Sequence, residues 1–119
     1  MRWAIVGVLL VAGCATTKEA GVGVWESDTL YGHVEVWQRR GPDGRCLERR
    51  VTFRREAGLF IDGRPTYVRA VDTGCDDTFD MWVFRSVEEE MRADRRDLSQ
   101  LLLHLMYATI PIHEHPRGL

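Results

Sequence analysis

The first residue that could carry chemistry in this sequence is Cys14, which ends an apolar run. The run follows Arg2 and extends from Trp3 to Ala12, and Gly13 separates it from the cysteine. A basic residue, a short apolar segment and small residues before a cleavage point are typical of an export signal. A helix that crosses a bilayer needs about 20 apolar residues, so the run predicts a processing signal and not a membrane span. Cleavage before the cysteine would place its thiol at the new amino terminus, where it could accept a lipid.

Val11, Ala12, Gly13 and Cys14 resemble the lipobox of bacterial lipoproteins. The resemblance covers only the start of the chain and implies a diacylglyceryl thioether on Cys14 and an acylated amino terminus. Because each buried methylene adds about 0.8 kcal/mol of membrane affinity, several acyl chains would anchor the protein stably to membrane lipid. The next residue, Ala15, is not the aspartate associated with inner-membrane retention. In a Gram-negative host this implies the outer membrane, with the domain facing the periplasm. The alternative is an ordinary secretory signal in which the cysteine is incidental.

Removal of the signal shortens the chain of 119 residues to 106, enough for one domain with one core. The mature chain holds 18 acidic residues and, without Arg2, 15 of the 16 basic ones. This near balance gives no electrostatic reason to expect nucleic acid as a partner. The segment from Ala15 to Gly23 is small and polar without periodicity, which predicts a tether. We therefore expect a signal over 1–13, a lipidated terminus and flexible tether over 14–23, a single domain over 24–110 and a tail over 111–119.

The other two cysteines, Cys46 and Cys75, predict a disulfide. With Cys14 lipidated they allow only one intramolecular pairing, and an oxidising compartment favours it. Closing a loop of about 30 residues would stabilise the domain by about 3–4 kcal/mol. Two buried free thiols are the alternative. A zinc site is disfavoured because neither cysteine has a second ligand at the usual spacing.

Alternating apolar residues predict an antiparallel sheet. Leu30 shares the parity of Val34, and Leu47 shares that of Val51, so all four are expected in the core. The last strand is apolar on both faces, which favours a central or helix-covered position. The predicted strands are 30–39, 45–55 after the GPDG turn, 59–61 and 66–71 around a hairpin at Asp62-Gly63, and 79–85.

A capping box of Ser86 and Glu89 predicts the start of a helix. Apolar residues then recur at helical spacing and form one core-facing stripe. Asp94 and Arg95 interrupt this stripe. Either the helix projects past the sheet at that point, or it breaks and restarts with Asp97 as its cap.

The C-terminal part of this helix has more apolar residues than one stripe needs. Leu103 and Tyr107 are the excess, so either the tail over 110–112 folds over them or this side meets a partner. The sequence thus predicts a small α+β fold. It has an antiparallel sheet of four to five strands with a C-terminal helix packed on one face.

Arginines dominate the second predicted strand, and aspartates surround Cys75. A disulfide to Cys46 would bring the two clusters together, so that their charges partly neutralise each other. The alternative is an exposed arginine ribbon that binds anions or an acidic protein partner, with Trp37 adding aromatic surface. The candidate binding residues are Arg45, Arg49, Arg50 and Arg54, beside Arg55, and the aspartates are Asp72, Asp76, Asp77 and Asp80.

No catalytic or metal-binding motif is recognisable. His113 and His115 have the spacing of two metal ligands, but two ligands do not make a site. The aspartates around Cys75 miss the pattern of a calcium loop. His33 and His104 are lone histidines with no aligned nucleophile. We therefore expect no metal, no cofactor and no enzymatic activity.

These features favour a small, lipid-anchored protein of the cell envelope that acts as a non-catalytic accessory or binding module. Its expected contacts are membrane lipid, through the acylated Cys14, and an envelope protein partner. The alternative is an inhibitor or immunity lipoprotein against a cell-wall hydrolase. A small hydrolase that uses His33 or His104 with an aspartate is a third and weaker interpretation.

Overall fold

The computed structural model describes residues 21–56 and 66–115, which form a five-stranded sheet followed by two helices and a short 3-10 turn. No helix in these two ranges is long and apolar enough to span a membrane. The strands are β1 (Val22–Asp28), β2 (His33–Arg40), β3 (Cys46–Arg55), β4 (Thr66–Thr73) and β5 (Met81–Phe84). The helices are α1 (Val87–Arg92) and α2 (Arg95–Thr109), and the turn is Ile112–Glu114.

Neighbouring strands are antiparallel, and their order in the sheet is the order in the chain, so β1 and β5 form the two edges. Helix α2 packs on one face of the sheet. The predicted α+β fold, with an antiparallel sheet and a helix on one face, is therefore confirmed. The number of strands in the described sheet is five.

The core lies between α2 and the sheet. Alternate residues of the three central strands pack against the apolar side of the helix and against Ile110. Because successive side chains of a strand point to opposite faces, the intervening residues lie on the face that points away from α2. We call this second face the open face. The sheet residues of the core are Val34, Val36, Val51, Phe53, Val68 and Ala70, and those of α2 are Leu102, Leu105 and Met106.

The helical segment is broken in two, as one of the two predicted alternatives required. Ser86 caps α1, because its hydroxyl accepts a hydrogen bond from the Glu89 amide at 3.2 Å. Asp94 caps α2, with its carboxylate accepting from the amides of Arg96 and Asp97 at 3.0 and 3.2 Å. The prediction that Asp97 caps the second helix was therefore wrong. It lies instead in the first turn of α2, where a negative charge is favourable.

Two leucines expected in the core are exposed. Leu30 is 98% exposed because the chain is already in the tight turn between β1 and β2, where the Thr29 amide donates to the Gly32 carbonyl at 2.8 Å. Leu47 is 37% exposed and lies near the shift in the pairing of β2 with β3 at Arg40. In both cases an irregularity interrupts the alternation from which burial was inferred.

Two strand positions also differ from expectation. β1 was not predicted, and it begins at Val22 inside the segment assigned to the tether. β5 is an edge strand, which rules out the central one of its two predicted positions and leaves the helix-covered one. Its core face, with Trp82 and Phe84, packs toward α2, whereas its other apolar face is exposed. The predicted strand 59–61 and the hairpin at Asp62-Gly63 lie outside the described residues.

Candidate functional site

The predicted disulfide between Cys46 and Cys75 is present, with 5.9 Å between the two Cα atoms. It joins the first residue of β3 to the loop that follows β4. The aspartates of this loop are therefore held beside the arginine-rich strand. This confirms the pairing on which the charge-neutralisation hypothesis depended.

Strand alternation divides the arginines of β3 between the two faces of the sheet. Arg49 points toward α2 and is 3% exposed. Its Nε donates to Gln38 Oε1 at 2.6 Å, and its Nη1 lies 3.7 Å from Asp77 Oδ1. Arg50 and Arg54 point to the open face. Of the arginines predicted to bind a ligand, Arg49 is thus a buried structural residue, because it has the parity of the core residues of β3.

A polar network around Arg49 holds the tail against the sheet. The Tyr107 hydroxyl donates to Asp77 Oδ1 at 2.6 Å, and Gln38 Nε2 donates to Glu114 Oε1 at 3.0 Å. The ring of His115 packs edge-on against Tyr107, with 4.9 Å between centroids. The side of Tyr107 is therefore covered by His115 and not by residues 110–112, since Ile110 is buried in the core and Ile112 is 83% exposed.

Burial and the neighbouring side chains together set the protonation of this network. Burial raises the pKa of Tyr107 to about 12, and the hydrogen bond to Asp77 acts in the same direction. Burial alone would also raise the pKa of Glu114, but the hydrogen bond and charge of Arg40 outweigh it and lower the pKa. The tyrosine is therefore a neutral hydrogen-bond donor and the glutamate a charged acceptor at neutral pH.

The remaining aspartates hold the loop after β4 in place, and Asp72 does so from within the strand. Asp72 is fully buried and accepts hydrogen bonds from the amides of Asp76 and Asp77 at 3.1 and 2.9 Å. Burial raises the pKa of Asp72 to about 6, and a hydrogen bond with the Asp76 side chain adds to this. Asp80 accepts from the amide of Thr73 at 2.7 Å. These carboxylates therefore have a structural role, because each already accepts a hydrogen bond from the protein.

The open face carries a row of residues that crosses all five strands. Each member lies directly opposite the next one in the strand register. The guanidinium carbon of Arg50 lies 4.2 Å from the centroid of Trp37, which is a cation–π contact. Arg50 Nε also donates to Glu48 Oε2 at 2.6 Å. We call this set the cross-sheet row, and it consists of Val24, Trp37, Arg50, Val71 and Met81.

Charges flank the cross-sheet row on one side. In the next row of the open face, Glu26 of β1 lies opposite Glu35 of β2, and Thr52 of β3 lies opposite Arg69 of β4. Arg69 Nε donates to the threonine hydroxyl at 3.1 Å. Val83 of β5 ends this row. This row is therefore acidic toward β1 and basic toward β4, and the mainly apolar cross-sheet row lies beside it.

His33 lies at the far end of the open face between two carboxylates. Its Nδ1 is 2.7 Å from Asp28 Oδ1, and its Nε2 is 2.9 Å from Glu26 Oε1. Both nitrogens can donate only in the imidazolium form. The hydrogen bond to Asp28 and then that to Glu26 raise the pKa of His33, against partial burial and the charge of Arg54. The histidine thus links β1 to β2, and neither ring nitrogen is directed at a hydroxyl or thiol.

We expect an NMR titration of the His33 ring to give a midpoint above 6.5, and Asp28→Asn to lower that midpoint more than Glu26→Gln does. Because the pKa is higher in the folded state, the stabilisation is fully present below about pH 6.5 and is lost as the pH rises through the folded value. The contribution to stability should stay below about 1 kcal/mol, since both carboxylates are exposed. A midpoint at or below 6.5 would contradict this geometry.

The other histidines have separate positions. His104 is exposed on α2. His113 Nε2 lies 3.4 Å from Glu114 Oε2, whereas His115 Nε2 lies 3.3 Å from the Ile110 carbonyl oxygen. Within 21–56 and 66–115, no group of three or more His, Cys, Asp or Glu side chains is arranged to hold a metal ion.

The turn between β1 and β2 projects two apolar side chains at the end of the sheet. Leu30 is almost fully exposed, and Tyr31 is 46% exposed. The Thr29 hydroxyl donates to the Gly32 carbonyl at 2.7 Å, which fixes the turn. A cleft of about 370 Å³ lies beside it, lined by residues 28–33 and 54–56. A neighbouring cleft of about 520 Å³ is lined by Arg54, Arg55, Glu56, Thr66, Tyr67 and Arg85.

Of the residues predicted to bind a partner, the structure brings Trp37 and Arg50 into contact, places Arg54 elsewhere on the open face and leaves Arg45 in the exposed turn before β3. The rest of the cross-sheet row was missed, because only the order of the strands shows that these residues are neighbours. Comparison of this chain with protein-family models, with curated proteins and with solved structures found no match.

Proposed function

We propose that this protein is a small lipoprotein of the cell envelope that acts as a non-catalytic binding module and engages a protein partner through its open face. The acylated Cys14 would hold it to membrane lipid, with outer membrane facing the periplasm as the location in a Gram-negative host. The charge of the mature chain gives no reason to expect nucleic acid as a partner, and residues 11–14 of the full chain resemble a lipid-attachment signal. The anchor and the open face are the two parts of this proposal.

The contact between Trp37 and Arg50 in the middle of the open face is the observation that carries the proposal. Tryptophan and arginine are the residue types that most often dominate the energy of protein interfaces, and methionine is also enriched there. Met81 ends the same row and is 58% exposed. The charges beside the row resemble the polar rim that surrounds such a centre.

The face of the sheet toward α2 is a poorer candidate for partner binding, because its groups are already used within the fold. There α2 covers the apolar residues, and the network of Arg49, Tyr107 and Glu114 uses the polar groups at the end of the sheet. Buried groups that already have partners are poor candidates for ligand contacts. The open face combines accessible aromatic, apolar and charged side chains, such as Trp37, Met81 and Arg50.

Capture of the partner should depend on Trp37. We expect Trp37→Ala to reduce recovery of the partner from the native envelope by about tenfold or more, because truncation of a central tryptophan costs about 2 kcal/mol. Arg50→Gln should weaken recovery less. Gln100→Ala, exposed on α2, is the matched control. The measurement is chemical crosslinking in cells followed by quantitative mass spectrometry, with melting temperatures to show that the variants fold. Equal recovery by Trp37→Ala and wild type would contradict the proposal.

A second candidate function, an inhibitor or immunity lipoprotein against a cell-wall hydrolase, is favoured by the turn between β1 and β2. Leu30 projects from a turn fixed by hydrogen bonds, and such a tip could enter an active-site cleft. In the same crosslinking experiment this function predicts a hydrolase as the captured protein. It also predicts that Leu30→Asp, and not Trp37→Ala, abolishes capture.

A further inference from the structure

A further row of residues lies at one end of the open face. In the strand register His33 lies opposite both Asp28 and Arg54, and Arg54 lies opposite Tyr67. Arg85 follows β5 and donates its amide to the Tyr67 carbonyl at 3.4 Å, so it continues the row past the end of that strand. We call this set the end row, and it consists of Asp28, His33, Arg54, Tyr67 and Arg85. Its two arginines are thus the neighbours of the tyrosine on either side.

The cleft of about 520 Å³ described above lies at the basic part of the end row. Arg54, Tyr67 and Arg85 all line it. Arg55, the last residue of β3, lines the same cleft although it alternates with Arg54 along the strand. Three guanidinium groups therefore border one cleft, together with the side chains of Glu56 and Thr66.

Two of these arginines do not use their charge within the fold. Arg85 Nη2 lies 2.5 Å from Glu89 Oε2, so part of its charge is neutralised. Among the residues that the structure describes, neither Arg54 nor Arg55 forms an ion pair or a side-chain hydrogen bond. Arginines elsewhere in the sheet differ from them in this respect, since Arg39, Arg40 and Arg50 each pair with a glutamate. The cleft thus holds donors that remain available to a ligand.

The neighbouring carboxylates leave this cleft with an excess of positive charge. Glu56 is in the lining, and Glu89 is buried in its ion pair with Arg85. Together they offset two of the three arginines. Asp28, at the other end of the row, already hydrogen-bonds to His33 at 2.7 Å. An anion that enters beside Arg54 and Arg55 therefore meets a net attraction.

We infer that this cleft binds a phosphate monoester. A guanidinium group can donate two parallel hydrogen bonds to the oxygens of a carboxylate or a phosphate. One guanidinium is sufficient for the two oxygens of a carboxylate, whereas a phosphate monoester offers three oxygens and close to two charges at neutral pH. Three arginines around one cleft fit the phosphate better.

The size of the cleft indicates that the ligand is larger than the phosphate group. Its volume of about 520 Å³ is within the range of about 300–1,000 Å³ that is usual for small-molecule sites. The body of the ligand would contact the ring of Tyr67 and the apolar stems of the arginines, which cover surface while the charged ends bind the phosphate. We therefore expect an ester with an apolar or aromatic body.

The position of the cleft favours a soluble ester over a membrane phospholipid. The cleft is at the opposite end of the sheet from Gly21, where the described chain begins. The seven residues of β1 separate the two ends by about 23 Å, at roughly 3.3 Å per residue. This preference rests on the anchor proposed at Cys14, whereas the site itself does not depend on the anchor or on the partner of the open face.

Calorimetric titration of the full-length protein, purified in neutral detergent, tests the site with phenyl phosphate as the probe. The titration is made at about pH 7.5, where the ester is a dianion because its second pKa is about 6. We expect saturable one-to-one binding. Arg54→Gln/Arg55→Gln should weaken it by at least about tenfold, because two charge-assisted donors are lost.

The matched control is Arg45→Gln/Arg96→Gln, which removes the same charge at exposed positions that do not line the cleft. It should bind within about twofold of the wild type, because distant exposed charges are screened by salt. Arg54→Lys/Arg55→Lys should have an intermediate affinity, since lysine keeps the charge but lacks the paired donors. Melting temperatures show that the variants remain folded.

Two further ligands identify the anion and its source. Phenyl sulfate, which has the same shape but a single charge, should bind more weakly than phenyl phosphate. Micelles that contain phosphatidate carry the same phosphate monoester on a lipid, and binding to these micelles without binding to phenyl phosphate would identify a lipid as the source. Absence of saturable binding to both phosphates, equal affinity for phenyl sulfate, or equal losses in the two glutamine variants would each overturn the inference. Capture of a protein partner has a separate readout, so failure of one proposal does not imply failure of the other.

Discussion

A Cys14→Ser variant is expected to lose palmitate labelling completely and to remain unprocessed by the lipoprotein pathway. A hydroxyl cannot replace the thiol in the thioether that the lipobox resemblance implies. Cys14 lies outside the described residues, so the expectation depends on the sequence, where small residues precede the cysteine after a short apolar run. The measurement is metabolic labelling with palmitate, followed by fractionation of membranes.

The disulfide variant Cys46→Ser/Cys75→Ser is the matched control for this experiment. It also exchanges thiols for hydroxyls, but at positions that the structure pairs with each other. It should be labelled as strongly as the wild type. Normal palmitate labelling of Cys14→Ser would show that Cys14 is not the lipidated residue. The part of the proposed function that depends on a lipid anchor at Cys14 would then be wrong.

The same Cys46→Ser/Cys75→Ser variant should be less stable by about 3–4 kcal/mol. The disulfide closes a loop that spans 29 positions in sequence, and opening it restores conformational freedom to the unfolded chain. For a domain of this size the melting temperature should fall by roughly 12–25 °C. The loss should be felt most around the loop after β4, where Cys75 and Asp77 have positive φ angles of 57° and 67°. The disulfide helps to hold these unfavourable conformations.

Thermal unfolding of the purified domain, with and without reductant, checks this expectation. Reductant should lower the melting temperature of the wild type and leave that of the variant unchanged. An unchanged melting temperature in the variant would mean that the arginine–aspartate network holds the loop without help from the disulfide. In that case Arg49, and not the covalent link, would be the main tie between β3 and the loop.

The sequence predicted the fold class and the disulfide because both depend on strong local signals. Alternation in β2 and β3 and the capping box at Ser86 were sufficient for the first, and the number of cysteines for the second. The burial of Arg49 was also within reach, since it shares the parity of Val51. It was missed because charge was given more weight than position in the strand.

Other features could not be obtained from the sequence. The parity of Leu30 is that of a core residue, and only the position of the turn shows that the strand begins after it. The edge position of β5 depends on strand order, which local patterns do not contain. For the same reason, Trp37 was named as a candidate without the neighbours that make it part of a row.

Site-specific photocrosslinking can show whether the anchored domain contacts a protein partner through its open face. A photoreactive amino acid is placed at Arg39 on the open face or at Gln100 on α2, both of which are exposed, in the lipidated protein in its native envelope. If the open face binds the partner, one recurrent protein is crosslinked from Arg39 and none from Gln100. Crosslinks from Gln100 alone, or to lipid and wall polymer alone, would contradict it.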